Sequence, residues 1–310
     1  MNKKIYIAGA MKSGTTTLHD LLVESPDVFS PEIKEPQYLS WKLRRDSDFK
    51  IDSKDQLLRA ESVIPVRDEA SYSRWKHKKK ENEIEIDSSV FNLPQFSVHE
   101  YLGNSNEDYY VIVIVREMIE RAFSSYVFQR SKGEEWCSDF GMAVEEELNG
   151  GRDGLVYPWR HLYVSQYKKQ IENLLKYIPE NRLKVIDFRD LINGQSKVVE
   201  DVCKFCGIST PSSNTQKLSN KSMGNPKSSK DKYLSKFIYT DNRLKRILRE
   251  LAPSSFRNYM SEKIKDSIKR VDNEKLSKDI EDKLLKFFEE DAKYLNSKYG
   301  ITYEKYKKYY

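Results

Sequence analysis

The stretch KIYIAGAMKSGTTTL, residues 4–18, limits what this chain can fold into more than any other. An apolar run of one strand's length turns at Gly9, passes through a loop of small residues and resumes at Thr16 with helical spacing. The order is strand, phosphate-sized loop, helix N-terminus. A helix start presents unpaired backbone N–H groups and the positive end of the macrodipole, so a loop folded over it is an anion site. Gly9 and Gly14 permit conformations and close approaches that a Cβ forbids. Their spacing is that of the Walker A pattern, but Thr15 stands after Gly14 where ATP chemistry needs lysine. The lysine lies inside the loop, as Lys12. With Ser13, Gly14, Thr15, Thr16 and Thr17 it offers one cation, several hydroxyls and a nest of amides. The plain alternative is a tight strand-to-helix turn with a hydroxyl-rich cap.

A second anchor is YYVIVIVREMIERAFSSY, residues 109–126. Seven apolar or aromatic residues, mostly β-branched, describe a central parallel strand buried on both faces. Arg116 stands at its end, and Arg121, Ser124 and Ser125 follow at helical spacings. Arg116 from the strand end and Ser124 from the helix converge on one anion, and a guanidinium suits phosphate.

Together these segments resemble the sulfotransferases that use 3'-phosphoadenosine-5'-phosphosulfate (PAPS). Their first loop reads K-x-G-T-[ST], and their second site reads R-x-P-x-x-R-x-x-S-x-Y. This chain keeps Arg116, Arg121, Ser124 and Tyr126, with Met118 in place of the proline. The resemblance implies that Lys12 and residues Ser13, Gly14, Thr15, Thr16 and Thr17 bind the 5'-phosphosulfate and that Arg116 and Ser124 grip the 3'-phosphate. It also implies a late basic loop over the adenosine, for which residues 217–232 supply Lys221 or Lys227.

The segment VFSPEIKEPQYL, residues 28–39, is extended between prolines and holds Glu32 and Glu35, with Lys34 as a nearby charge. Residue types alone describe a solvated acidic loop. Glycan sulfotransferases have E-x-x-F-F or K-E-P-x-[YF] here, with a glutamate that takes the acceptor proton. The match falls on Glu35, with Glu32 as runner-up. The family's [ST]-P-x-[YF], near the transferred group, is met by Ser88 and Phe91, with Ser89 replacing the proline. Asp87 occupies the place where several glycan enzymes put a lysine. Sulfotransferases of small phenols and steroids carry a histidine base in K-T-H-L-P, whereas residues 90–94 here read VFNLP, with Asn92. The carboxylate-based carbohydrate branch, heparan-type and bacterial-like, is therefore implied, with His99 the only fallback base.

These readings predict an α/β fold: a single P-loop-like three-layer domain with a central parallel sheet flanked by helices, plus a C-terminal helical extension. The core spans 1–232, and the extension, 233–310, packs on it. The extension holds helices over 243–251, 256–268 and 277–299 and ends in YEKYKKYY, 303–310, which reads as a disordered tail in preference to a membrane-surface contact or an aromatic platform for sugar. Residues 131–154 read as a flexible wall or lid over the acceptor site. A helix opens at Tyr163, whose ring either packs or touches the acceptor.

The net charge of +6 among 310 residues suits an anionic cofactor but not a nucleic-acid partner. No run approaches the roughly 20 apolar residues of a membrane span, and no signal-like segment precedes the first strand, so a cytoplasmic location is expected. Of the three cysteines, Cys203 and Cys206 lie on an amphipathic helix and are read as core. No cluster suggests a metal.

The implied activity is sulfuryl transfer from PAPS to a hydroxyl or amine of a carbohydrate acceptor, by in-line displacement with a carboxylate base. Two alternatives stay open. A P-loop kinase or nucleotidase is disfavoured by the missing lysine after Gly14 and the lack of a Walker B-type acidic strand end. A non-catalytic nucleotide- or glycan-binding module would bind without transferring.

Overall fold

The computed structural model describes residues 3–74, 78–211 and 276–310. Strands β1 (Lys3–Gly9), β2 (Val28–Phe29), β3 (Ile84–Asp87), β4 (Asp108–Val115) and β5 (Leu183–Asp187) form one sheet in the order β2-β3-β1-β4-β5. Every pairing is parallel. All five C-terminal ends therefore share one edge. The chain leaves β1 toward β2 and β3 but leaves β4 toward β5, so the connections diverge between two neighbouring strands. That divergence opens a crevice at their ends, where open α/β sheets bind ligands.

The sheet is covered on both faces because its strands alternate two apolar sets. Ile5 and Ile7 of β1 and Ile112 and Ile114 of β4 face helices α1 (Thr15–Leu22), α9 (Phe188–Asn193) and α10 (Gln195–Cys206). Tyr6, Ala8, Val111, Val113 and Val115 face the opposite layer. That layer contains α5 (Phe96–Gly103), α6 (Met118–Ser131), α7 (Phe140–Leu148) and α8 (Tyr167–Leu175). Short helices α2 (Tyr38–Lys42), α3 (Lys54–Val63) and α4 (Glu69–Ser73) fill the connection between β2 and β3. The predicted three-layer α/β architecture is present. Cys203 and Cys206 are buried free thiols in the core, as read.

Three expectations need correction. The stretch 277–299 forms two helices, α11 (Lys278–Phe287) and α12 (Glu289–Tyr299), because the backbone leaves helical geometry at Phe288. Their apolar faces, Leu284, Phe288, Ala292 and Leu295, are buried in the α6 and α8 layer. The C-terminal segment is not a loose tail. Tyr303 and Tyr306 are buried, Arg189 donates to the Thr302 carbonyl at 2.7 Å, and Lys305 pairs with Glu117 at 3.6 Å. Lys221, Lys227, the boundary at 232 and the helices expected between 243 and 268 lie outside the described residues.

Residues 131–154 form a fixed wall rather than a flexible lid. Arg152 and Glu135, both with no exposed side-chain surface, pair at 2.7 and 2.9 Å. The wall is closed by Arg152 donating to the Trp159 carbonyl at 3.0 Å and by His161 Nε2 lying 2.8 Å from Glu135. Burial pushes the His161 imidazole down to about 4. Glu135→Ala removes one of the two carboxylates paired with the buried guanidinium, Glu146 keeping its contact at 2.8 Å, and is expected to cost about 1.5–3 kcal/mol of stability, read from the urea midpoint. A loss of under about 1 kcal/mol shows that the pair does not hold the wall.

Candidate active site

The loop after β1 is shaped by two left-handed residues, Lys12 at φ 69° and Gly14 at φ 84°. A Cβ on Gly14 would come within 3.0 Å of Leu191 Cδ2 and 3.1 Å of the Phe188 ring, so glycine is required there. The Ala10 N–H bonds to the Ile114 carbonyl of β4 at 2.9 Å, which fastens the loop to the neighbouring strand. Helix α1 starts at Thr15 without a side-chain cap and without an acidic residue in its first turn. Its leading amides and macrodipole are thus available to an anion.

Arg116, at the end of β4, brings the second anchor to the first. Its Nη1 lies 3.4 Å from the Lys12 carbonyl, and its guanidinium stacks over Phe188 at 5.0 Å. Its backbone N–H bonds to the Tyr167 hydroxyl at 3.2 Å, and Glu120 accepts from the side chain at 3.3 and 3.4 Å. Met118 does not cost α6 its start, because Glu117 caps the helix by accepting from the amides of Ile119 and Glu120. Ser124 is buried one helical turn after Arg121. Arg121 is itself fully buried: it donates to Ser165 Oγ at 2.5 Å, to the Met11 carbonyl at 3.3 Å and to the His161 carbonyl.

Lys12 Nζ rests 4.0 Å over the Phe128 ring, and Lys132 Nζ rests 4.4 Å over the same ring. Burial, then the charges of Lys132, Arg116 and Arg121, lower the Lys12 ammonium to about 8, with Glu35 acting in the opposite sense. The crowding of four cations is the chemistry of a site built for a polyanion. Phe128 and Lys132 escaped the sequence reading, although both follow Ser124 at the four-residue spacing of one helix face.

The two candidate bases separate clearly. Glu32 is exposed and paired with Lys78 at 2.6 Å and Arg74 at 3.4 Å. Glu35 is held at both oxygens: Lys34 donates to Oε1 at 2.9 Å and Gln37 Nε2 to Oε2 at 3.3 Å. Gln37 is fixed in turn, its backbone N–H donating to Ser89 Oγ at 2.9 Å and its amide oxygen accepting from the Phe91 N–H at 3.2 Å. Lys34 also donates to Thr16 Oγ1 at 2.9 Å.

Other residues are set aside. Ser88 bonds to His19 Nδ1 at 2.7 Å behind α1. His99 lies against the Asn92 and Leu93 carbonyls, and burial pushes its imidazole down to about 4, so the fallback base has a structural role. Tyr163 packs, its hydroxyl donating to the Pro94 carbonyl at 3.1 Å. Contrary to the sequence reading, an acid does end a strand beside β1: Asp87 closes β3. Its Oδ1 accepts from the Ser89 N–H at 2.9 Å, and burial raises its carboxyl to about 6. Among the described residues no group of acids, histidines or cysteines could hold a metal ion.

The sequence model of the sulfotransferase domain matches residues 2–279. The chain belongs to the sulfotransferase family. Among solved structures it is similar to a sulfotransferase from Alicyclobacillus acidocaldarius, with 20% identity, a TM-score of 0.65, and 96% of this chain and 95% of that one covered. The sulfotransferase domain from the curacin biosynthetic pathway is 18% identical with a TM-score of 0.42, over 67% of this chain and 75% of that one. A mouse sulfotransferase complexed with PAP is 14% identical with a TM-score of 0.39, over 67% and 59%. Among curated proteins no significant match is found. This sulfotransferase is an enzyme whose sheet and flanking helices are those of its family, and among its described residues no helix is long and apolar enough to cross a membrane.

Lys12 gives this site a pH signature. A bound anion favours the ammonium, so binding near and above pH 8 takes up a proton, and affinity for adenosine 3',5'-bisphosphate falls by up to about tenfold per pH unit. Calorimetry from pH 7.5 to 9.5 is expected to show that fall in the wild type and a flat profile in Lys12→Arg. A flat wild-type profile shows that Lys12 does not face the ligand.

Proposed function

We propose that this sulfotransferase moves a sulfuryl group from PAPS to a hydroxyl or amine of a carbohydrate, with Glu35 as general base. One observation carries the reading. At the edge of a four-cation site, within electrostatic reach of Lys12, a single carboxylate is oriented by two donors.

The residues present fit the donor. Lys12 and the amides of Ser13, Gly14, Thr15, Thr16 and Thr17 suit its 5'-side, and Arg116 and Ser124 suit its 3'-phosphate. The bound donor supplies an activated sulfuryl group on a phosphate leaving group. Lys12 and the loop amides are preorganised to stabilise charge growing on that leaving oxygen. Glu35 accepts the proton of the acceptor hydroxyl or amine. Support for a sugar comes from Trp41, half-buried at the edge of a cluster whose other rings, Phe49, Phe91, Tyr157 and Trp159, are core. Arg44 and Arg67 lie over the Trp41 ring at 5.7 and 5.9 Å. The carboxylate in place of a histidine base supports the carbohydrate branch. The core, on this reading, extends to 232, and the remainder is a helical extension.

The test is transfer of radiolabelled sulfuryl from PAPS to a panel of sugars. Glu35→Gln is expected to lower turnover about 10²–10⁴-fold without changing bisphosphate affinity. Arg116→Ala is expected to weaken that affinity about 10–100-fold. Full turnover in Glu35→Gln removes the base assignment. ATP turnover abolished by Lys12→Ala points instead to a kinase or nucleotidase. Bisphosphate binding without any transfer points to a binding module.

A further inference from the structure

Lys34 has no place in the machinery assigned above, yet it is the side chain that joins the two halves of the site. Its ammonium lies 2.9 Å from Thr16 Oγ1, in the first turn of α1, and 2.9 Å from Glu35 Oε1. Successive residues of an extended segment point to opposite sides. Here Lys34 and Glu35 converge on one contact, because the chain bends through residues 32–34 instead of running extended. The Lys34 carbonyl accepts from the Ser88 N–H at 3.4 Å, which fixes the backbone to the end of β3.

We propose that Lys34 is a donor-binding residue that contacts the 5'-side oxygens of the sulfuryl donor and, through the same ammonium, sets the position of the base. An ammonium has three N–H donors, and Thr16 and Glu35 take two. The third is available to an oxyanion held by the amides of the turn that carries Thr16. Lys34 and Glu35 keep 23% and 35% of their side-chain surface exposed, so neither is sealed from a ligand. One cation thereby adjoins the departing phosphate and the proton-accepting carboxylate, and fixes their separation. This rests on the reading above only in seating the 5'-side anion on the loop.

The test compares two nucleotides by calorimetry, adenosine 3',5'-bisphosphate and adenosine 3'-monophosphate, the second lacking the 5'-phosphate. Lys34→Met is expected to weaken the bisphosphate about 10–100-fold and to leave the monophosphate unchanged. Lys34→Arg is expected to restore most of the bisphosphate affinity but less of the turnover, since a planar guanidinium places Glu35 differently. Lys34→Gln, which keeps a donor for Thr16, is expected to behave like Lys34→Met and serves in its place if the apolar variant folds poorly. Unchanged bisphosphate affinity in Lys34→Met or Lys34→Gln overturns the proposal. Equal weakening of both nucleotides also overturns it and makes Lys34 a loop-folding residue. Failure of the wild type to bind the bisphosphate is a different result, and removes the donor assignment itself.

Discussion

A guanidinium with no access to water must find oxygen partners inside the protein, and the site depends on how Arg121 meets that demand. It takes the Met11 carbonyl from the loop, the His161 carbonyl from the wall and the Ser165 hydroxyl from the turn before α8. Burial lowers its ionisation only to about 10, so it stays charged under physiological conditions. Because the peptide unit is planar, turning the Met11 carbonyl toward Arg121 turns the Lys12 N–H away from it. Arg116 holds the next carbonyl, that of Lys12. Two arginines on one strand-to-helix junction thus set successive peptide planes of the loop.

The wall extends this chain of constraint. His161 offers its carbonyl to Arg121 while its ring contacts Glu135, and Glu135 is clamped by Arg152. The loop, the helix that carries Ser124 and the wall are consequently one connected body. On the other side, α12 and the C-terminal turn brace the start of α6 and the N-terminus of α8. Lys305 reaches Glu117 there, and Asp291 accepts from the Lys168 N–H at 2.8 Å. The sheet supplies the edge, and these buried polar contacts determine what faces it.

The parts legible in the sequence were local. An apolar run of strand length, two glycines five residues apart and an arginine at a strand end show in any short window, and α1, β1, β4 and Arg116 came out where expected. Glu35 was legible only through a family likeness, because nothing in a run of acids and prolines says which carboxylate is held by a glutamine three-dimensionally near it. Lys34 was illegible for a geometric reason: neighbours in an extended segment are expected to diverge, and the chain here bends through residues 32–34 instead. Composition misled at the wall, where Glu135 and Arg152 look like surface charges but satisfy each other inside. It misled again at the C-terminal segment, whose Tyr303 and Tyr306 are buried while Lys307 and Lys308 stay exposed.

The depressed ionisation of Lys12 has a chemical cost. An amine that releases its proton at about 8 is neutral in about a tenth of molecules at pH 7, far more than an ordinary lysine. A neutral amine is a nucleophile. The positive neighbours that make the loop attractive to phosphates also draw in small anionic electrophiles such as cyanate and acyl phosphates. Lys12, the residue proposed to hold the leaving oxygen, is therefore open to carbamylation or acylation at neutral pH, and a bound nucleotide would protect it.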